Sequence, residues 1–95
     1  MTAEERRCVR AIITGRVQGV WFRAWTDKKV RKLGLDGWVR NKRDGTVEAV
    51  FAGSDEAVGE MLTACSKGPP AAKVEDVSFG PAEDPGSGFH VLPTE

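Results

Sequence analysis

The sequence predicts an α+β sandwich, an antiparallel sheet carrying two helices on one of its faces. Three observations carry that expectation. Apolar residues recur at helical spacing in two segments, 22–33 and 54–68. Short β-rich runs of strand length lie before, between and after them. An Asp-Gly turn signal joins the middle two of those runs, so they form a hairpin between the helices. A chain of 95 residues is enough for one domain with a single core.

Each element follows from its residues. Residues 8–14 are apolar and β-rich, with Val9, Ala11 and Ile13 on one face, and form a central strand. Residues 22–33 set Phe22, Trp25, Thr26, Val30 and Leu33 on one side of a helix, with Asp27, Lys28, Arg31 and Lys32 on the other. Lys29 interrupts the apolar side and must lay its stem along the core edge. Gly34 stands where a left-handed residue ends a helix, behind cations that suit the dipole. Strands 37–42 and 46–52 then flank Arg43-Asp44-Gly45. Alternation puts Gly37, Val39 and Asn41 on the face shared by Val47, Ala49 and Phe51.

Ser54 caps the second helix, and Asp55 and Glu56 suit its first turn. Ala57, Val58, Met61, Leu62 and Cys65 make its apolar stripe, which Gly68, Pro69 and Pro70 bring to an end. Gly59 weakens this helix by up to about 1 kcal/mol relative to alanine. Residues 74–79 form a fourth strand whose apolar spacing changes parity between Val74 and Val77, as a bulge would make it. Residues 80–88 are a loop rich in Gly, Pro, Asp and Ser, and 89–92 form a short final strand. The order β-α-β-β-α-β plus a terminal strand is the ferredoxin-like arrangement.

Composition narrows the functional classes. Fourteen basic residues balance fourteen acidic ones, so no global field draws the chain to nucleic acid or to an anionic membrane. The basic residues are unevenly placed, however: Arg23, Lys28, Lys29, Arg31, Lys32, Arg40, Lys42 and Arg43 fall close together, offering either a positive rim or a solvated helix face. No apolar run reaches membrane-spanning length, and residues 1–7 lack the apolar centre of a signal peptide. Cys8 and Cys65 suit neither a disulfide framework nor a metal site, so both are expected as buried free thiols in a reducing, cytoplasmic setting.

The segment Gly15-Arg16-Val17-Gln18-Gly19-Val20-Trp21-Phe22-Arg23 is the chemically loaded one. Gly15 and Gly19 can take positive φ at little steric cost, letting the backbone curl until several N–H groups converge. The helix that begins just beyond adds free donors and partial positive charge. Arg23, in its first turn, can add a bidentate fork to a bound oxyanion. The loop reads as an anion cradle, with phosphate the natural guest. Glycines in a strand-to-helix turn also occur without a ligand, and a first-turn arginine often points into water, so the residues alone leave that plainer reading open.

A second segment, Gly37-Trp38-Val39-Arg40-Asn41-Lys42-Arg43-Asp44-Gly45-Thr46-Val47-Glu48, stands at the right distance beyond it. Together the two resemble the signatures of the acylphosphatase family, approximately G-R-V-Q-G-V-x-F-R and G-W-V-R-N-x-x-D-G-x-V-E. The resemblance covers residues 8–79 and matches the tail Phe-His-Val-Leu-Pro-Thr-Glu only weakly. It implies the ferredoxin-like fold and the hydrolysis of small acyl phosphates to carboxylate and inorganic phosphate. By position it makes Gly15, Arg16, Val17, Gln18, Gly19 and Val20 the phosphate cradle, Arg23 the main charged ligand, and Asn41 the residue that orients the attacking water. No metal or organic cofactor is expected, since residues of ligand type do not cluster and the motif supplies its own positive charge. No nucleic-acid or membrane partner is expected, and without an obvious interface stripe the chain is expected as a monomer.

The chemistry is self-consistent. Phosphoryl transfer needs mostly positioning and charge stabilisation, and a carboxylate leaves readily without a strong general acid. Asn41 cannot be a base near neutral pH, but its amide can hold a water in line. The proton is expected to pass to a phosphate oxygen or to solvent. Trp21 is expected to pack locally rather than line an acyl pocket, Trp25 to join the core, Trp38 to pack on the sheet, and His90 to be structural. Three rivals share the frame: an RNA-binding module, which would need paired aromatics on the third strand; an anion-binding interaction domain without turnover; and a carbamoyl-phosphate-converting part of a larger maturation enzyme.

Overall fold

The computed structural model describes residues 6–95, so residues 1–5, most of the stretch read for a leader, lie outside the described residues. The elements are β1 (Arg6–Arg16), α1 (Phe22–Leu33), β2 (Asp36–Asn41), β3 (Val47–Ser54), α2 (Asp55–Lys67), β4 (Lys73–Pro81) and β5 (Phe89–Val91). They form one sheet in the order β4-β1-β3-β2-β5. β1 extends two residues beyond its apolar stretch at each end because both of its edges are paired, Arg6 with Ser54 on β3 and Arg16 with Lys73 on β4.

The helices cover one face. Val9, Ala11, Ile13, Val39, Val47, Ala49 and Phe51 point into the core beneath them, meeting Phe22 and Val30 from α1 and Val58, Met61 and Cys65 from α2. Each large side chain buried there contributes about 1.5–3 kcal/mol. The hairpin register is the expected one, Gly37 opposite Phe51, Val39 opposite Ala49 and Asn41 opposite Val47. Gly37 is required by contact, since a Cβ there would run into the Val50 carbonyl. Trp25 sits half-buried at the core edge, edge-on to Phe22 at 5.2 Å, with the Lys29 ammonium over its ring at 6.0 Å.

β3 is buried on both faces. On the helix-free side, Arg10 from β1 and Arg40 from β2 close over Glu48, whose side chain is only 3% exposed. Arg10 donates to one carboxylate oxygen at 2.5 Å, Arg40 to the other at 2.8 Å, and the Lys42 ammonium lies 3.7 Å away. Burial pushes the Glu48 carboxyl up, but the Arg40 and Arg10 hydrogen bonds outweigh it and hold the group below the ordinary glutamate value. Trp38 packs on this face under the Arg40 guanidinium, 4.7 Å from its ring centre.

The parity change in the fourth strand is a bulge. Thr14 faces Asp76 but Gly15 faces Val74, leaving Glu75 as the extra residue. The sheet differs from the expected all-antiparallel one at its far edge, because β5 pairs with β2 in parallel. The physical reason is the loop 82–88, which leaves β4 at one edge and crosses to the other, so β5 enters from the end at which β2 starts. Arg6 anchors that crossing, donating to Asp84 at 2.8 Å, to Asp36 at 2.9 Å and to the Gly86 carbonyl at 3.1 Å. The Gly88 N–H donates to Asp36 at 2.9 Å. Both cysteines are free, but only Cys65 is buried as expected; Cys8 lies on the helix-free face of an uncovered sheet and is half-exposed.

Candidate active site

The two helices begin differently. α2 is capped by Ser54, whose hydroxyl accepts from the Ala57 N–H at 3.1 Å, and carries Asp55 and Glu56 in its first turn. α1 starts from Trp21 with no side-chain cap and no acid in its first turn. Its first backbone bond runs from the Trp25 N–H to the Trp21 carbonyl at 3.0 Å. Among the described residues, the N–H groups of Gln18, Gly19, Val20 and Trp21 donate to no protein acceptor. Gly19 and Trp21 both take positive φ, 73° and 66°, which turns successive amides toward one side. An uncapped helix end and a curl of free donors make a local positive pole.

Arg23 stands at that pole. It is half-buried, its Nη1 donates to the Leu92 carbonyl at 3.1 Å, and among the described residues it meets no carboxylate. Arg6, Arg7, Arg10, Arg31 and Arg40 each have an acidic partner. A guanidinium withheld from every carboxylate in a cleft keeps most of its donors for something else. Asn41, the last residue of β2, lines the same cleft, and its carboxamide has no hydrogen-bond partner among the described residues.

The cleft holds about 570 Å³ between the loop, α1 and the far edge of the sheet. Val17, Gly19, Arg23 and Asn41 line it, with the exposed Trp21, Ala24 and Val91 as its outer walls. Gly15 and Arg16 belong to the end of β1, and Val20 is packed in the core; these three do not line the cleft. Gly15 is instead fixed by the bulge, where a Cβ would strike the Lys73 carbonyl. Gln18 turns its amide toward the hairpin. It donates to the Lys42 carbonyl at 2.6 Å and the Thr46 carbonyl at 2.8 Å, bracing the loop against the hairpin that carries Asn41.

Two expectations need correction, for Trp21 and Asp27, and the basic cluster resolves between its two readings. Trp21 does not pack locally: it is 82% exposed and held in the left-handed region, at the mouth of the cleft. Of the basic residues between 23 and 43 only Arg23 lines the cleft; Arg31 pairs with Asp27, and Arg40 and Lys42 turn to Glu48 on the far face of the sheet. Asp27, read on the solvent side of α1, lines the cleft one turn beyond Arg23, with its Oδ1 3.2 Å from Arg31. The i, i+4 spacing from Arg23 was the signal that could have placed it. The Leu92 contact had no such signal, because a backbone carbonyl accepts alike from any sequence.

Fold and cleft together define a small α+β sandwich with a local positive pole at the start of its first helix. Comparison with known proteins is specific: the family profile described as Acylphosphatase matches residues 9–91. The chain is 50% identical over 92 residues to an acylphosphatase of Nitrobacter winogradskyi, an alignment covering 90% of this chain and 93% of the relative. It is 52% identical over 83 residues to one of Rhodospirillum rubrum, covering 86% and 91% respectively. The solved acylphosphatase from Coxiella burnetii superposes with a TM-score of 0.88 at 35% identity, covering 94% of this chain and 95% of that one. The chain belongs to the acylphosphatase family, and its reaction is the family's, hydrolysis of acyl phosphates.

Proposed function

We propose that the free amides of Gln18, Gly19 and Val20 in the loop 15–20, together with Arg23, hold the phosphate group of a small acyl phosphate, and that Asn41 orients the water that attacks it. Water adds to phosphorus, the bond to the carboxylate oxygen breaks, and the carboxylate departs with the bonding pair. The water proton passes to a phosphate oxygen or to solvent, because nothing in Asn41 can take it. Loop amides and the guanidinium fork meet charge on the phosphoryl oxygens, where preorganised donors act most strongly. The observation that carries this reading is Arg23, half-buried beside an uncapped helix end with no acidic partner among the described residues. Arg23 and the amides provide the positive charge, so the reaction proceeds without a metal or cofactor.

The cleft takes the acyl group past the phosphate, against Trp21, Ala24 and Val91. The two free thiols support a cytoplasmic setting, and residues 1–95 are read as one domain working as a monomer. The test is hydrolysis of benzoyl phosphate in EDTA by wild type, Arg23→Ala and Asn41→Ala. Turnover by the wild type that both variants lose supports the assignment. Undiminished turnover by either variant overturns that residue's role.

A further inference from the structure

Residues 92–95 lie beyond the stretch matched by the family, and they touch both residues assigned to catalysis. The Leu92 carbonyl accepts from Arg23 Nη1 at 3.1 Å. The Leu92 N–H donates to the Val39 carbonyl at 2.9 Å, so that carbonyl is fixed to β2. Further on, the Glu95 N–H donates to the Asn41 carbonyl at 3.0 Å, and the Glu95 carbonyl accepts from the Arg43 N–H at 2.9 Å. The Glu95 carboxylate is 2.9 Å from Arg40 Nη1, an ion pair that holds this segment alongside β2. Gln18 grips the Lys42 and Thr46 carbonyls from the loop side. The end of the hairpin is therefore held from two directions, by the anion loop and by the tail.

We infer that residues 92–95 are a positioning element that sets Arg23 and Asn41 relative to one another, the Leu92 carbonyl aiming the guanidinium and the Glu95 N–H fixing the backbone of Asn41. The inference rests on the roles proposed for those two residues. It assigns separate consequences to the two contacts. Loosening the Asn41 backbone misplaces the water and lowers kcat, whereas losing the Leu92 carbonyl frees the guanidinium and weakens binding of the phosphate group.

The test uses the full chain with Glu95→Ala and Glu95→Pro, and a chain ended after Val91. Alanine removes the carboxylate and keeps the N–H; proline removes both. Comparing the two isolates the bond to Asn41. With benzoyl phosphate, Glu95→Ala is expected to lose at most about twofold in kcat, since its ion pair is exposed. Glu95→Pro is expected to lose about tenfold in kcat, a displacement well under 1 Å being enough, with inhibition by inorganic phosphate unchanged. The chain ended after Val91 is expected to add a weakening of phosphate inhibition of about tenfold, near the value of a charge-assisted contact. A merely structural role would lower thermal stability and leave those two constants uncoupled from the contact removed. Equal kcat in Glu95→Ala and Glu95→Pro, with Arg23→Ala and Asn41→Ala inactive, overturns the inference and leaves the catalytic roles standing. Active Arg23→Ala or Asn41→Ala overturns the roles themselves.

Discussion

At Arg23 the shape of the charge matters as well as its sign. Removing one preorganised donor to an oxyanion costs about 10²–10³-fold in rate, and Arg23→Ala is expected to cost at least that much. Arg23→Lys restores the charge without the planar fork and should stay near the alanine level. Asn41→Ala should lower kcat with a smaller effect on phosphate inhibition, because the role proposed for the amide is to meet water and not phosphate. Steady-state kinetics with phosphate as inhibitor separates the three. Trp21 makes a different prediction. A bulky residue at φ 66° is strained, by about 1–2 kcal/mol for a left-handed L-residue, and this one buries little surface in return. Trp21→Gly is expected to hold or raise stability by up to about 1 kcal/mol in urea unfolding, while KM for benzoyl phosphate rises as the outer wall is lost.

The helices show how a short stretch of sequence fixes an element. α2 has its cap, its acidic first turn and its terminating glycine, and it begins and ends where those signals stand. Gly59 lies inside it with open space where a Cβ would go, so Gly59→Ala should stabilise by about 0.5–1 kcal/mol. Gly37→Ala should instead disrupt the hairpin, because the Val50 carbonyl occupies the space; thermal unfolding of the two variants should move in opposite directions. Caps, periodicity and the Asp-Gly turn made α1, α2 and the hairpin legible, and the two motifs singled out Arg23 and Asn41, which the fold places in one cleft. The parallel pairing of β5 was not, since three residues carry no directional pattern and the decision lies in a loop anchored by Arg6, far away in sequence. Nor was the role of Gln18, whose amide suits a ligand as well as two carbonyls.

For the molecule as a whole, the buried carboxylate of Glu48 ties stability to pH. Burial raises its pKa, but Arg40 and Arg10 outweigh that and lower it; Asp36 is lowered by the Gly88 N–H and then Arg6, and Asp84 by Arg6 and then the Gly86 N–H. Groups depressed on folding stabilise the protein above their unfolded values and lose that contribution as pH falls through the folded ones. Stability should therefore be level near neutrality and fall below about pH 4. Glu48→Gln, already uncharged, should be less stable at pH 7 and approach the wild type as the pH drops, which denaturant midpoints across that range would show. The crossing loop has a consequence of another kind. It makes the last strand, three residues long and on an open edge, the bearer of Val91 and the approach to Leu92, while fully buried residues of β1, β3 and α2 make up much of the core. Edges of this sort open in local fluctuations that leave the centre intact. With the roles proposed for Arg23 and Leu92, turnover should fade on gentle warming while the core still protects its amides from exchange.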